Sequence, residues 1–188
     1  LTTFPSQAKE SGNVKINAKN FPDTIVREYV SEKIDKNNDG YLSKKEISAV
    51  KTIIIDKNNL YWENKEKLKE DYEIIDCKGL EIFTNVEKVK LTTYCDTYVS
   101  EYGNIKNIKV LTKLTKIKNL EISGVNNSNY DFTKLNNLER LCIKSTKLKK
   151  LNLSKNVKLK NLKLAYNPLL KKINLTKNKN LERINLYG

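Results

Sequence analysis

From residue 138 onward, apolar pairs recur every ten or eleven residues: Leu141/Ile143, Leu151/Leu153, Leu162/Leu164, Ile173/Leu175 and Ile184/Leu186. Two side chains one residue apart point to the same face of a strand, and the residue between them points away. A half-unit of this length cannot close a superhelical turn, but two can, giving coils of residues 138–158 and 159–180. Such coils pair their strands in parallel and bury together an apolar ladder that no single coil could bury alone. Asn156, Asn167 and Asn178 fall at the bends, where a side-chain amide can satisfy backbone groups of the turn.

Earlier units are less regular. Residues 117–137 keep Ile117, Leu120 and Ile122, whereas 86–116 carry about ten extra residues near 94–104. The stretch EIIDCKGLEIFTNV reads as an opening coil, and TIII at 52–55 as a first strand. A second insertion is expected near 56–72.

Residues 35–46, DKNNDGYLSKKE, fill the ligand slots of a twelve-residue EF-hand loop. Asp35, Asn37 and Asp39 supply side-chain oxygens at positions 1, 3 and 5, and Gly40 takes the sharp turn. Tyr41 offers its carbonyl, Ser43 sits at position 9, and Glu46 can bind bidentately at position 12. Phe21, Ile25, Tyr29 and Val30 form an apolar helical stripe before the loop, and Ile47 and Val50 continue one after it. The competing reading needs no metal, because Ser43-x-x-Glu46 is also a capping box. Both readings are carried forward, with Ca2+ as a structural ion in the first. In both, the helical pair covers the apolar end of the first coil.

The pattern LxxLxLxxNxLxxLxL resembles the bacterial leucine-rich-repeat class with two alternating half-units, found in secreted and cell-surface proteins. The segment NFPDTIVREYVSEKIDKNNDGYLSKKEISAV, followed by CKGLEIFTNVEKVKL, resembles the amino-terminal cap of that class. The resemblance implies an α+β protein: a leucine-rich-repeat solenoid of parallel β coils with an N-terminal helix-loop-helix cap. The expected organisation is a flexible segment 1–14, an EF-hand-like helical cap 15–51, and a solenoid 52–188. It also implies a secreted or surface location, with any signal peptide already removed from a chain that starts at Leu1.

Charge narrows the function. The net charge is +14, and residues 135–188 hold 14 basic side chains against 2 acidic ones. A basic outward surface suits an acidic partner. The candidate contacts are Lys88, Lys90, Arg140, Lys144, Lys150, Lys163, Lys172 and Arg183. Tyr94, Tyr98 and Tyr102 join them, spaced four apart as one stripe of a short helix that Gly103-Asn104 would end. With 33 Lys and 3 Arg, nucleic acid is disfavoured, because bidentate base and phosphate contacts favour Arg. The absence of histidine removes Ser-His-Asp and Cys-His catalysis. Three separated cysteines make no zinc set, and no apolar run is long enough to span a bilayer. The expected function is therefore protein–protein binding rather than catalysis. Two alternatives stay open: an electrostatic binder of anionic polymer, and the binding region of a larger enzyme. The chain ends on strand residues RINLYG with an exposed edge, and three explanations stay open: a longer natural chain, a very short natural end, or a homodimer through that edge.

Overall fold

The computed structural model describes residues 12–57, 74–93, 95–96, 101–125 and 129–187. The chain begins with β1 (Val14–Lys15), then α1 (Thr24–Tyr29), whose backbone runs on into a π-helical turn over Val30–Ile34. β2 (Tyr41–Leu42), α2 (Lys44–Ala49), β3 (Thr52–Asp56) and β4 (Ile74–Asp76) follow. After a short 3-10 turn come β5 (Lys88–Thr92), β6 (Cys95–Asp96), β7 (Glu101–Tyr102) and β8 (Asn104–Lys106). A 3-10 segment, Ile108–Lys113, leads to β9 (Asn119–Val125) and β10 (Asn129–Asp131). The chain closes with β11 (Arg140–Thr146), β12 (Lys150–Asn152), β13 (Asn161–Ala165) and β14 (Arg183–Tyr187).

The Leu-x-Leu pattern becomes one parallel sheet of six strands, ordered β3-β5-β9-β11-β13-β14. Its inner rows are in strict register: Ile53, Val89, Leu120, Leu141 and Leu162 form one, and Ile55, Leu91, Ile122, Ile143 and Leu164 the next. All are buried. A one-residue slip in any strand would turn this set outward, so burial fixes the register. The leucine ladder continues through Leu114, Leu135, Leu138, Leu153 and Leu159 at the bends.

The three asparagines act as the bend chemistry requires. The Asn156 amide donates to the Phe132 and Leu135 carbonyls, both at 2.9 Å. One coil later, Asn178 donates to Leu153 at 3.0 Å and Asn156 at 2.9 Å. Asn167 reaches Ile143 and Ala165, both at 3.0 Å. Each amide therefore ties a turn to the coil before it.

The two half-units are not equivalent. The second halves give only short two-stranded pairings, β4 with β8 and β10 with β12, and residues 171–175 form no strand. The insertion near 94–104 also departs from expectation. Cys95–Asp96 and Glu101–Tyr102 pair antiparallel as a hairpin, so the chain is extended where the tyrosine spacing predicts a helix. Alternating residues of this stretch read equally well as a strand, and the backbone pairing decides between them. Tyr94 and Tyr98 lie outside the described residues, as does most of the second insertion.

The helical pair sits on the first coil. Phe21 is fully buried and stacks on Phe83, ring centroids 6.4 Å apart. A side chain at Gly79, whose φ is +96°, would meet the Asn20 carbonyl oxygen and the Phe21 ring, so the close approach requires glycine there. Tyr29 supplies the neighbour that β3 lacks on its outer edge. Its hydroxyl accepts from the Ile54 N–H and donates to the Thr52 carbonyl, both at 3.3 Å. β1 pairs with β2, setting Val14 opposite Leu42 and Lys15 opposite Tyr41.

Candidate binding surface on the outer face of the parallel sheet

Strand alternation that buries one face leaves three outward rows, each crossing the sheet at one register position. The first runs Thr52, Lys88, Asn119, Arg140, Asn161, Arg183. The second runs Ile54, Lys90, Glu121, Cys142, Lys163, Asn185, and the third Asp56, Thr92, Ser123, Lys144, Ala165, Tyr187, although Thr92 and Ala165 of the third are buried. An open groove lies over them, lined by Lys88, Lys90, Asn119, Arg140, Lys163 and Arg183 among others. Six of the expected contact residues, the lysines 88, 90, 144 and 163 with both strand arginines, are thus brought onto one face.

Lys150 and Lys172 are not. Lys150 lies on β12, in a separate two-stranded sheet, and Lys172 in the irregular stretch before β14. The single basic stripe expected from both half-units is therefore divided, because only the first halves join the long sheet. Tyr102 lies on β7 by its backbone, and Tyr94 and Tyr98 are outside the described residues.

Two of the six cations on this face are already neutralised. Lys90 Nζ lies 2.7 Å from Asp56, and Lys144 Nζ lies 2.9 Å from Glu121. The Glu121 carboxylate holds the Lys144 ammonium above its ordinary pKa. Just before the strands runs a row of alternating sign: Lys51, Glu87, Lys118, Glu139, Lys160, Glu182. Each of its N–H groups from Glu87 onward donates to the carbonyl of the residue one coil earlier, at 2.8–2.9 Å. Glu87 pairs with Lys118 at 2.8 Å and Glu139 with Lys160 at 3.8 Å. The Lys118 hydrogen bond and charge hold the Glu87 carboxyl below its usual range.

The first outward row is different. Lys88, Arg140 and Arg183 are exposed, and their side chains make no hydrogen bond or ion pair among the described residues. Asn119 and Asn161, half-buried between them, likewise have unpartnered side-chain amides. Asn119 and the neutralising carboxylates Asp56 and Glu121 are absent from the sequence-based contact set. The signal for Asn119 was present, since it stands directly before Leu120 as Arg140 stands before Leu141. At the centre of the second row, Cys142 is half-buried, and burial pushes its thiol above the ordinary value.

The loop over residues 35–46 is closed by its own hydrogen bonds. Asp35 Oδ2 accepts the Gly40 N–H at 3.0 Å, and Asp39 Oδ1 the Tyr41 N–H at 2.8 Å. Glu46 Oε2 accepts from the Ser43 N–H and hydroxyl at 2.8 and 2.7 Å, and Oε1 from the Lys36 N–H at 2.8 Å. The Ser43 hydroxyl in turn accepts the Glu46 N–H at 3.2 Å, completing the capping box. One oxygen fits a cation: Asp35 Oδ1 is buried without a partner. These bonds occupy most of the acceptor capacity of Glu46, so it is not free to bind through both oxygens. Among the described residues no three acidic or cysteine side chains converge on one point, so a bound Ca2+ would also need the oxygens of Asn37, Tyr41 and Ser43.

Comparison with solved structures places this architecture. The chain superposes on an internalin, InlF, of Listeria monocytogenes with a TM-score of 0.70, at 19% identity over 94% of its length. The fold is an internalin-like leucine-rich-repeat solenoid. The match spans 46% of that internalin, about half its length. Two further Listeria monocytogenes proteins are also similar. One is the internalin InlC2, with 14% identity, TM-score 0.43, 97% of this chain and 100% of that one. The other is the functional domain of InlJ, with 13% identity, TM-score 0.35, 94% and 48%. A scan against family models and a search of curated proteins return no match. No helix among the described residues is long and apolar enough to cross a membrane.

Proposed function

We propose that this chain is a protein-binding module of a secreted or cell-surface bacterial protein, using the outer face of its parallel sheet. The observation that carries the reading is the row Lys88, Arg140, Arg183, whose side chains have no ion pair among the described residues, whereas Lys90 and Lys144 of the rows beside it are paired. Unpaired, rigidly spaced cations are available to a partner without breaking any internal contact. The partner's complementary patch is acidic. The fold is shared with internalins, which supports the surface setting.

The test compares two charge-matched variants in crosslinked capture of surface proteins. Lys88→Gln with Arg140→Gln and Arg183→Gln loses the partner, and Lys150→Gln with Lys155→Gln and Lys172→Gln retains it. Equal capture by both would contradict the reading. A second reading, binding of an anionic polymer, draws on the +12 balance of residues 135–188. It predicts that affinity collapses with added salt and that both variants weaken alike.

Within this proposal the helical pair with its 35–46 loop is the cap that seals the first coil. Calcium at the loop is a stabiliser of that cap, not a signal. β14 pairs only with β13 among the described strands, and Ile184 and Leu186 are about half exposed. A second copy would pair through this edge, which light scattering detects.

A further inference from the structure

Resting on the proposed protein-binding role, we infer that the partner contributes an extended, polyproline-II-like segment with a carboxylate at every third residue. This segment lies across the strands along the row Lys88–Asn119–Arg140–Asn161–Arg183. The row alternates cation and amide over five consecutive strands, and none of its side chains has a partner among the described residues.

Geometry selects the ligand. Neighbouring strands lie about 4.8 Å apart, so cations two strands apart are about 10 Å apart. A polyproline-II segment advances about 3.1 Å per residue with three residues per turn, so every third side chain faces the same way about 9.3 Å further on. In a β-extended peptide, side chains three apart point to opposite faces, and only one of two successive carboxylates could meet the row. The amides fit as well. A polyproline-II backbone makes no hydrogen bonds of its own, and an Asn side chain carries both a donor and an acceptor. Asn119 and Asn161 sit between the cations, where the backbone passes. Paired charges flanking the row, Glu87–Lys118 on one side and Lys90–Asp56 on the other, already neutralise their carboxylates. They do not compete for the row's cations.

Three probes test this by calorimetry on the whole chain: a Pro-rich peptide with Glu at every third position, a peptide of the same composition with Glu at alternate positions, and heparin. The period-three peptide binds at least about tenfold tighter than its permuted counterpart. Arg140→Gln abolishes that preference. Asn119→Ala with Asn161→Ala weakens the peptide without changing its salt dependence, because the lost contacts are neutral. Equal affinity for the two peptides overturns the inference. So does tighter binding of heparin than of either peptide, which would assign the row to a glycan. If no peptide binds but the Lys88/Arg140/Arg183 variant still loses its captured protein, this inference fails and the proposed function stands. If that variant captures as well as the parent, both fail.

Discussion

Asp23 accepts the Val26 N–H with one carboxylate oxygen, at 2.9 Å, and the Asp76 N–H with the other, at 2.8 Å. The second oxygen also lies 3.5 Å from Lys57 Nζ, and both side chains are almost wholly buried. One residue thus starts α1, holds β4 of the first coil, and pairs a buried ammonium at the end of β3. Asp23→Ala removes the helix cap, the bond to the Asp76 N–H and one partner of a buried pair at once, so it should lower stability by about 3–5 kcal/mol in urea denaturation. A loss under about 1 kcal/mol would show that Lys57 is satisfied without it. Glu46 makes a pH-dependent contribution. Burial pushes its carboxyl up, but the Ser43 N–H and hydroxyl and the Lys36 and Asn37 N–H groups outweigh that and hold it below the usual range. A depressed acid stabilises the fold above its unfolded pKa and loses that effect as pH falls through the lower folded value. Thermal melts of the parent and Glu46→Gln should therefore differ at neutral pH and converge in acid. A constant difference across pH would contradict the capping role. These residues were legible to different degrees. The capping box at Ser43 and Glu46 follows from spacing alone, whereas Asp23 stands in no motif read from the sequence. Its bonds to Lys57 and Asp76 span 34 and 53 residues of sequence, and no local pattern encodes them.

At the scale of elements, periodicity served well where the repeat was strict. Every first-half Leu-x-Leu became a strand of one sheet, because burial of a continuous ladder demands it. The second halves carry the same pattern and yield only short strands. Their leucines are satisfied by burial at the bends, which needs no continuous backbone ladder. The hairpin at β6 and β7 shows the other limit. Tyrosines four apart suit a helix, but residues at even spacing also fall on one face of a strand, and Cys95–Asp96 pairs antiparallel with Glu101–Tyr102. The 35–46 loop keeps one buried, unpartnered Asp35 oxygen and spends most of Glu46 on capping. Millimolar Ca2+ should raise the melting temperature of the parent, and Asp35→Asn should remove the increase. No shift at millimolar Ca2+ would make the loop a purely hydrogen-bonded element. The affinity expected of such a loop is about 10⁻⁴–10⁻³ M, as in extracellular modules.

For the molecule as a whole, charge counted along the sequence does not distinguish paired cations from unpaired ones. Lys90 and Lys144 look like contacts in sequence, yet each already holds a carboxylate from the neighbouring strand. Those pairings depend on register between residues 34 and 23 positions apart, and they become visible only when the coils are stacked. What remains is a narrower feature: one row of cations and amides without partners among the described residues, beside rows where Lys90 and Lys144 are paired and Lys163 lies over the Tyr187 ring. That row is the centre of the account, and Cys142 reports on it. The thiol stands beside Arg140's row in the middle strands, half-buried and raised by burial, so labelling is done at mildly alkaline pH. Attaching a bulky maleimide at Cys142 should abolish partner capture, while the Cys142→Ser variant treated identically should retain it. Undiminished capture by the labelled parent, with modification at Cys142 confirmed by mass spectrometry, would contradict binding through this face.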